Sequence, residues 1–152
     1  MKQFPLQFLA VLIFLPFWGC GLIPTDKEDA TIGSTSPLTG VTAIAAGGVH
    51  TCTLMSDSNI RCWGSNLEGQ LGDGTIVSKS YPVKVSGISS ATQLASSYHT
   101  CALIADNTSQ CWGRGINGQL GDNSTNSSRI PVVVSGLNAK SIDTAPGYTC
   151  AV

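Results

Sequence analysis

One period of 49 residues governs this chain. His50-Thr51-Cys52 returns as His99-Thr100-Cys101, Cys62-Trp63-Gly64 as Cys111-Trp112-Gly113, and Pro82-Val83 as Pro131-Val132. The longest match is Gly69-Gln70-Leu71-Gly72-Asp73, which returns as Gly118-Gln119-Leu120-Gly121-Asp122. A third copy starts near Ser141 and reaches Thr149-Cys150-Ala151. A unit this short cannot bury its apolar face alone, so the fold must be an array in which neighbours supply one another's core.

Within the first copy, four short apolar segments fall between turn signals: 41–46, 50–55, 60–63 and 81–85. The second copy repeats them at 94–95, 100–104, 110–112 and 130–134. Strands of that length, split by Gly, Asn, Asp and Ser, predict an all-β chain, and four of them per period is the content of one propeller blade. No mature segment sustains a helical period. The expected fold is therefore all-β: two four-stranded propeller blades at about 41–89 and 90–138, and the start of a third at 139–152. Ile44 stands six residues before His50, whereas Leu94 stands five before His99, so a bulge or a shifted turn must absorb one residue. Only 11% of residues are charged and the net charge is −1, so no basic patch points to nucleic acid.

The ordered set His-Thr-Cys-x-Leu, Cys-Trp-Gly and Gly-Gln-Leu-Gly-Asp resembles the repeats of the regulator of chromosome condensation family, over about residues 41 to 152. The departures are local. The family's Asp-Gly turn is Asp57-Ser58 in one copy and Asp106-Asn107 in the other; its Asn is present as Asn66 but replaced by Gly115; Tyr148 stands for the third His. The resemblance implies a seven-bladed β-propeller, of which this chain is expected to be a fragment, with assembly of several chains into a ring as the other reading. The family includes a nucleotide exchanger for a small GTPase on chromatin and secreted bacterial proteins such as a propeller-type β-lactamase inhibitor. The amino terminus fits only the second context.

That terminus has Lys2, an apolar run from Phe4 to Trp18, and then Gly19-Cys20-Gly21. It reads as a signal peptide over 1–20, of the bacterial lipoprotein type with Cys20 lipidated; an ordinary signal or an uncleaved anchor extending to Ile23 is the alternative. Residues 21–40, with Pro24, Pro37 and an acidic patch at Asp26, Glu28 and Asp29, are expected to be a flexible linker. The localisation that follows is the bacterial cell envelope, as an outer membrane-anchored lipoprotein or a periplasmic or extracellular protein.

Cys52 and Cys62 flank a hairpin turn, as do Cys101 and Cys111. A three-residue loop would place each pair directly opposite on adjacent strands, within disulfide range. The expected bonds are Cys52–Cys62 and Cys101–Cys111; two pairs of buried thiols are the alternative, and the spacing is poor for zinc. Cys150 is expected to be unpaired in this chain.

Candidate sites are sparse. His50 and His99 could converge as metal ligands but lack a third ligand, and a buried polar network at each strand start accounts for them. Asp73 and Asp122 could form a carboxylate pair, yet their Gly-rich turns favour capping of local amides. Trp63 and Trp112 read as blade-core aromatics. No nucleophile elbow or phosphate loop is visible, and neither a metal nor a cofactor is expected. The chain is read as a non-catalytic scaffold that binds an unknown protein at the envelope, attached to the membrane through the lipid or the N-terminal segment. Its contacts are placed on the loop residues Leu67, Glu68, Ile76, Arg114, Ile116 and Arg129. A secreted or carbohydrate-active enzyme whose catalytic residues lie in other blades, or a nonfunctional truncated product, is the alternative; regulation of a small GTPase is disfavoured.

Overall fold

The computed structural model describes residues 37–152; the expected signal peptide, Cys20 and most of the 21–40 linker lie outside the described residues. Strands β1 (Val41–Ala46), β2 (His50–Met55), β3 (Ile60–Gly64) and β4 (Lys79–Lys84) form one antiparallel sheet in sequence order. Strands β5 (Ala91–Ser96), β6 (His99–Ile104), β7 (Thr108–Gly113) and β8 (Ser128–Asn138) form a second sheet with the same order. A hairpin of β9 (Ile142–Ala145) and β10 (Tyr148–Ala151) begins a third unit. The all-β, four-strands-per-period expectation is the architecture observed.

Period-two alternation sorts side chains into two seams. Cys52, Leu54, Ile60 and Cys62 of the first sheet meet Ala102, Ile104 and Trp112 of the second, together with Leu71, Val85 and Ile88. The opposite face of the second sheet sends Cys101, Leu103 and Cys111 into a seam with Leu120, Ala139 and Ile142 against the third unit. Every second residue of β6 therefore serves a different neighbour, which is why the strand is buried along its whole length. Pro82 and Pro131 lie on β4 and β8, the outer strands of their sheets, where a missing N–H costs no ladder bond.

The one-residue difference between copies is taken up in the β1–β2 turn. Gly47-Gly48-Val49 connects β1 to β2, whereas only Ser97-Tyr98 connects β5 to β6. Both outer strands carry a register shift at the same place, Val41/Ala43 and Ala91/Gln93, so the bulge is shared and explains no difference. The last strand of the second sheet is longer than the 130–134 segment expected: β8 runs on to Asn138 and pairs Asn138 with Thr108, passing Gly136 at a φ of 68°.

The hairpins set the cysteines opposite each other. Cys52 faces Cys62 and Cys101 faces Cys111 in register, each pair with Cα atoms 4.1 Å apart and bonded as a disulfide. The two Cys–Cys pairs are the expected ones, and they correct the alternative reading in which these four cysteines stay unpaired as buried thiols. Among the described residues only Cys150 carries a free thiol, and it is exposed.

Candidate functional site

Two long loops, one after β3 and one after β7, carry most of the residues expected to meet a partner. The first is organised by a single buried side chain. Asn66 accepts the Leu71 N–H at 2.9 Å and donates its amide to Asp73 at 3.2 Å, to the Thr75 carbonyl at 3.1 Å and to the Val77 carbonyl at 3.2 Å. Asp73 in turn accepts the Thr75 N–H at 2.9 Å and its hydroxyl at 2.8 Å. The second loop has no such amide. Gly115 stands in the place of Asn66, and a Cβ there would fall 2.0 Å from the Asn126 carbonyl oxygen, so the bare Cα lets the backbone close on itself. Asp122 accepts the Ser124 N–H at 3.0 Å. Asp73 and Asp122 thus cap turns, each in its own loop.

The loops abut. The Ser127 hydroxyl donates to the Glu68 carboxylate at 2.8 Å, and the Gly74 N–H donates to the Arg129 carbonyl at 2.9 Å. Gly69 approaches the Arg129 backbone so closely that a Cβ would meet Arg129 Cα at 2.5 Å. The outcome is one surface shared by two repeats. On it Leu67 is 76% exposed, Ile76 58% and Ile116 51%. Glu68 and Arg129 are also exposed, whereas Arg114 is half-buried with its guanidinium 5.7 Å from the Tyr98 ring. Sequence reasoning passed over Val77 and Ile130, which are exposed on the same loop and at the entry to β8. The signal for them was an apolar side chain in a segment otherwise polar.

The histidines lie elsewhere, in the seams. His50 is buried with Nε2 2.7 Å from the Thr100 hydroxyl and 2.9 Å from that of Ser96. His99 repeats this with Thr149 at 2.7 Å, and Thr149 donates to the Gln119 carbonyl at 2.8 Å. That hydroxyl has one proton, so it must accept from His99, which places the ring proton on Nε2. Burial pushes both histidines down to about 4, with the charge of His99 adding to the effect on His50. Both are neutral at pH 7, and each ties one repeat to the next. Among the described residues no group of three or more His, Cys, Asp and Glu is placed to hold a metal ion.

Trp112 is fully buried; its indole N–H donates to the Gln70 carbonyl at 2.9 Å, and the ring lies against Gly72 and Val85 of the first repeat. Trp63, at the same repeat position, is only half-buried.

Comparison with known proteins agrees with this geometry. Two regulator of chromosome condensation (RCC1) repeat profiles match the chain, one over residues 41–70 and the other over 60–104 and 111–152. Among solved structures, human WBSCR16 superposes with a TM-score of 0.64 at 23% identity, covering 82% of this chain and 35% of that one. Yeast RCC1 (Prp20), solved with Kap60 bound to it, gives 0.64 at 20% identity, with 78% and 32% covered. Prp20p from Saccharomyces cerevisiae, described with its binding properties to Gsp1p and histones, gives 0.62 at 23% identity, with 76% and 31% covered. The chain spans about a third of the length of these structures. No curated protein matches it.

Proposed function

The chain belongs to the regulator of chromosome condensation (RCC1) repeat family, and we propose that it serves as a non-catalytic scaffold that binds another protein on the outer side of the cytoplasmic membrane. The observation that carries this reading is the shared loop surface. Apolar side chains such as Leu67, Ile76 and Ile116 are held out in solvent on loops that internal hydrogen bonds make rigid. Exposed apolar groups on a pre-ordered frame lose little entropy on binding, and they have no role in the fold's own core. The similar yeast proteins are described with protein partners, which supports a binding role for this repeat type.

The compartment is part of the proposal. Two disulfides support an oxidising environment. Residues 1–20 are proposed as a lipoprotein-type signal with Cys20 as the lipidated residue, 21–40 as the linker, and 41–89, 90–138 and 139–152 as the repeats. The contact set is proposed as Leu67, Glu68, Ile76, Ile116 and Arg129, with Arg114 supporting the loop through Tyr98.

Photo-crosslinking in cells tests the reading. A crosslinker at Leu67, Ile76 or Ile116 is expected to give the same protein adduct from all three sites and none from Thr92, which is exposed on β5. Unrelated adducts from the three sites, or equal yield from Thr92, would refute it. Mass spectrometry of the mature amino terminus checks Cys20.

A further inference from the structure

The repeat supplies its own control for what the fold requires. The 49-residue period sets Tyr98 on Val49 and Arg114 on Ser65. At these positions the two copies share one backbone contact: the Ser65 N–H donates to the Val49 carbonyl at 2.9 Å, and the Arg114 N–H to the Tyr98 carbonyl at 3.4 Å. Valine and serine therefore suffice for the fold. The second copy replaces both, and the two replacements meet, with the Arg114 guanidinium 5.7 Å from the centre of the Tyr98 ring. Residues that recur serve the blade; a touching pair that departs from the period points to a task of its own.

The pair is held in place. Tyr98 lies so close to the β1–β2 turn that a Cβ on Gly48 would stand 2.8 Å from its ring. Stacking on that ring fixes the plane of the guanidinium. Its Nε is buried, and the side chain forms no hydrogen bond or ion pair among the described residues, so the terminal nitrogens are the ones left to meet a ligand. The carboxylates of the flanking loops are turned to other donors: Glu68 accepts from Ser127, Asp73 from Thr75 and Asp122 from Ser124. A cation stripped of part of its water and left without a counter-charge favours an anion from outside. Apolar surface lies alongside, since Tyr98 is 38% exposed and Val49, next to Gly48, is exposed as well. The pair also adjoins the loop surface: Gly113, just before Arg114, packs against Gln70 of the first loop, and Ile116 follows two residues later.

We propose that Arg114, stacked on Tyr98, is a carboxylate-binding point of the loop surface: its terminal N–H groups take an aspartate or glutamate side chain of the protein partner. Tyr98 and Val49 receive the apolar residues that flank that side chain. This contact rests on the binding role proposed above and gives the partner a chemistry, an acidic residue set among apolar ones. One guanidinium neutralises one charge, which suits a carboxylate better than a phosphate dianion. The stacking that supports the second loop thus also aims its cation.

The test uses the complete chain, labelled for NMR, and the capped peptide acetyl-Leu-Glu-Leu-amide beside its glutamine counterpart. Because the Arg114 Nε is buried, its N–H exchanges slowly and gives a signal to follow. The glutamate peptide is expected to shift the Arg114 Nε–H and Tyr98 ring signals saturably, with a Kd about fivefold or more below that of the glutamine peptide. Arg114→Ser together with Tyr98→Val copies the first repeat, which keeps the backbone contact, and is expected to abolish that difference. Equal Kd values for the two peptides on the unaltered protein, no shift at Arg114, or a larger response to inorganic phosphate would overturn the proposal. Crosslinking in cells separates it from the reading it rests on. A common adduct at Leu67, Ile76 and Ile116 whose yield falls with Arg114→Ser supports both. A common adduct of unchanged yield overturns the carboxylate contact alone, whereas selective binding of the glutamate peptide with no common adduct supports the contact and refutes the shared surface.

Discussion

The first and second repeats carry the same motif residues, yet the same tryptophan is half-buried in one and fully buried in the other. Trp63 and Trp112 both follow the disulfide cysteine on a third strand, and both point toward the sheet that precedes their own. Trp112 finds the first sheet there; among the described residues nothing precedes the first sheet to receive Trp63. Position in the array, more than identity of the residue, decides what a side chain contributes. The loops differ for another reason. One is held by a side chain, Asn66, and the other by the lack of one, Gly115, although the backbones take similar paths.

The largest effect expected separates the two indoles. Trp112→Ala should cost about 3–5 kcal/mol, because it empties a dry seam and leaves the Gln70 carbonyl without its donor. Trp63→Ala should cost less than half as much. Denaturant midpoints of the two variants check the difference, and equal losses would break the comparison.

Acid should act on both histidine seams together. Each histidine titrates near 4 in the folded chain and at its ordinary 6.5 when unfolded, so the unfolded state binds more protons between those values. Stability is therefore intact above about pH 6.5, falls as pH drops, and by pH 4 has lost about 3 kcal/mol per histidine. Below that, Asp57 and Asp106 take over. The Asn59 N–H holds the first below the usual carboxylate range and the Thr108 hydroxyl the second, so they lose their contribution as they protonate. Unfolding free energy measured against pH should show a slope approaching two protons, reduced to one by His50→Gln.

The loops give the next effect. Asn66→Ala removes the hub of the first loop and should cost about 1–3 kcal/mol, whereas Gly115→Ala should damage the second loop by pushing Asn126 away. Hydrogen exchange should show each change confined to its own loop and the facing contact, Glu68 to Ser127 or Gly74 to Arg129. The smallest effect lies in the hairpin turns. Ser58 and Asn107 both adopt positive φ, 61° and 67°. Ser58→Gly should gain up to about 1 kcal/mol, and Asn107→Gly less, since Asn tolerates that region better than Ser. Melting temperatures rank the two.

Much of this was legible beforehand, and the reason is repetition. A turn of three residues between Met55 and Asn59 fixes Cys52 opposite Cys62, so strand existence, register and disulfide pairing all follow from short-range spacing seen twice. The Asp turns were readable for the same cause. What escaped depends on which neighbour each face meets. Trp63 and Trp112 are identical in local sequence, so their unequal burial could not be read from it. Arg114 was read as a contact residue from its own loop alone, yet Tyr98 stands opposite it, one step beyond the His99–Gly113 pair in the register that joins Cys101 to Cys111. The β8 extension past Val134 is carried by Gly136, which in sequence looks like a terminator.

The indole that completes the first sheet is encoded 42 residues downstream of the carbonyl it binds. A chain that has emerged only as far as Val85 therefore has a layer still missing its keystone. That layer is finished only after β7 emerges, and the same delay recurs with each unit added. Folding from the amino terminus consequently leaves the newest layer with its apolar face open until the next third strand arrives.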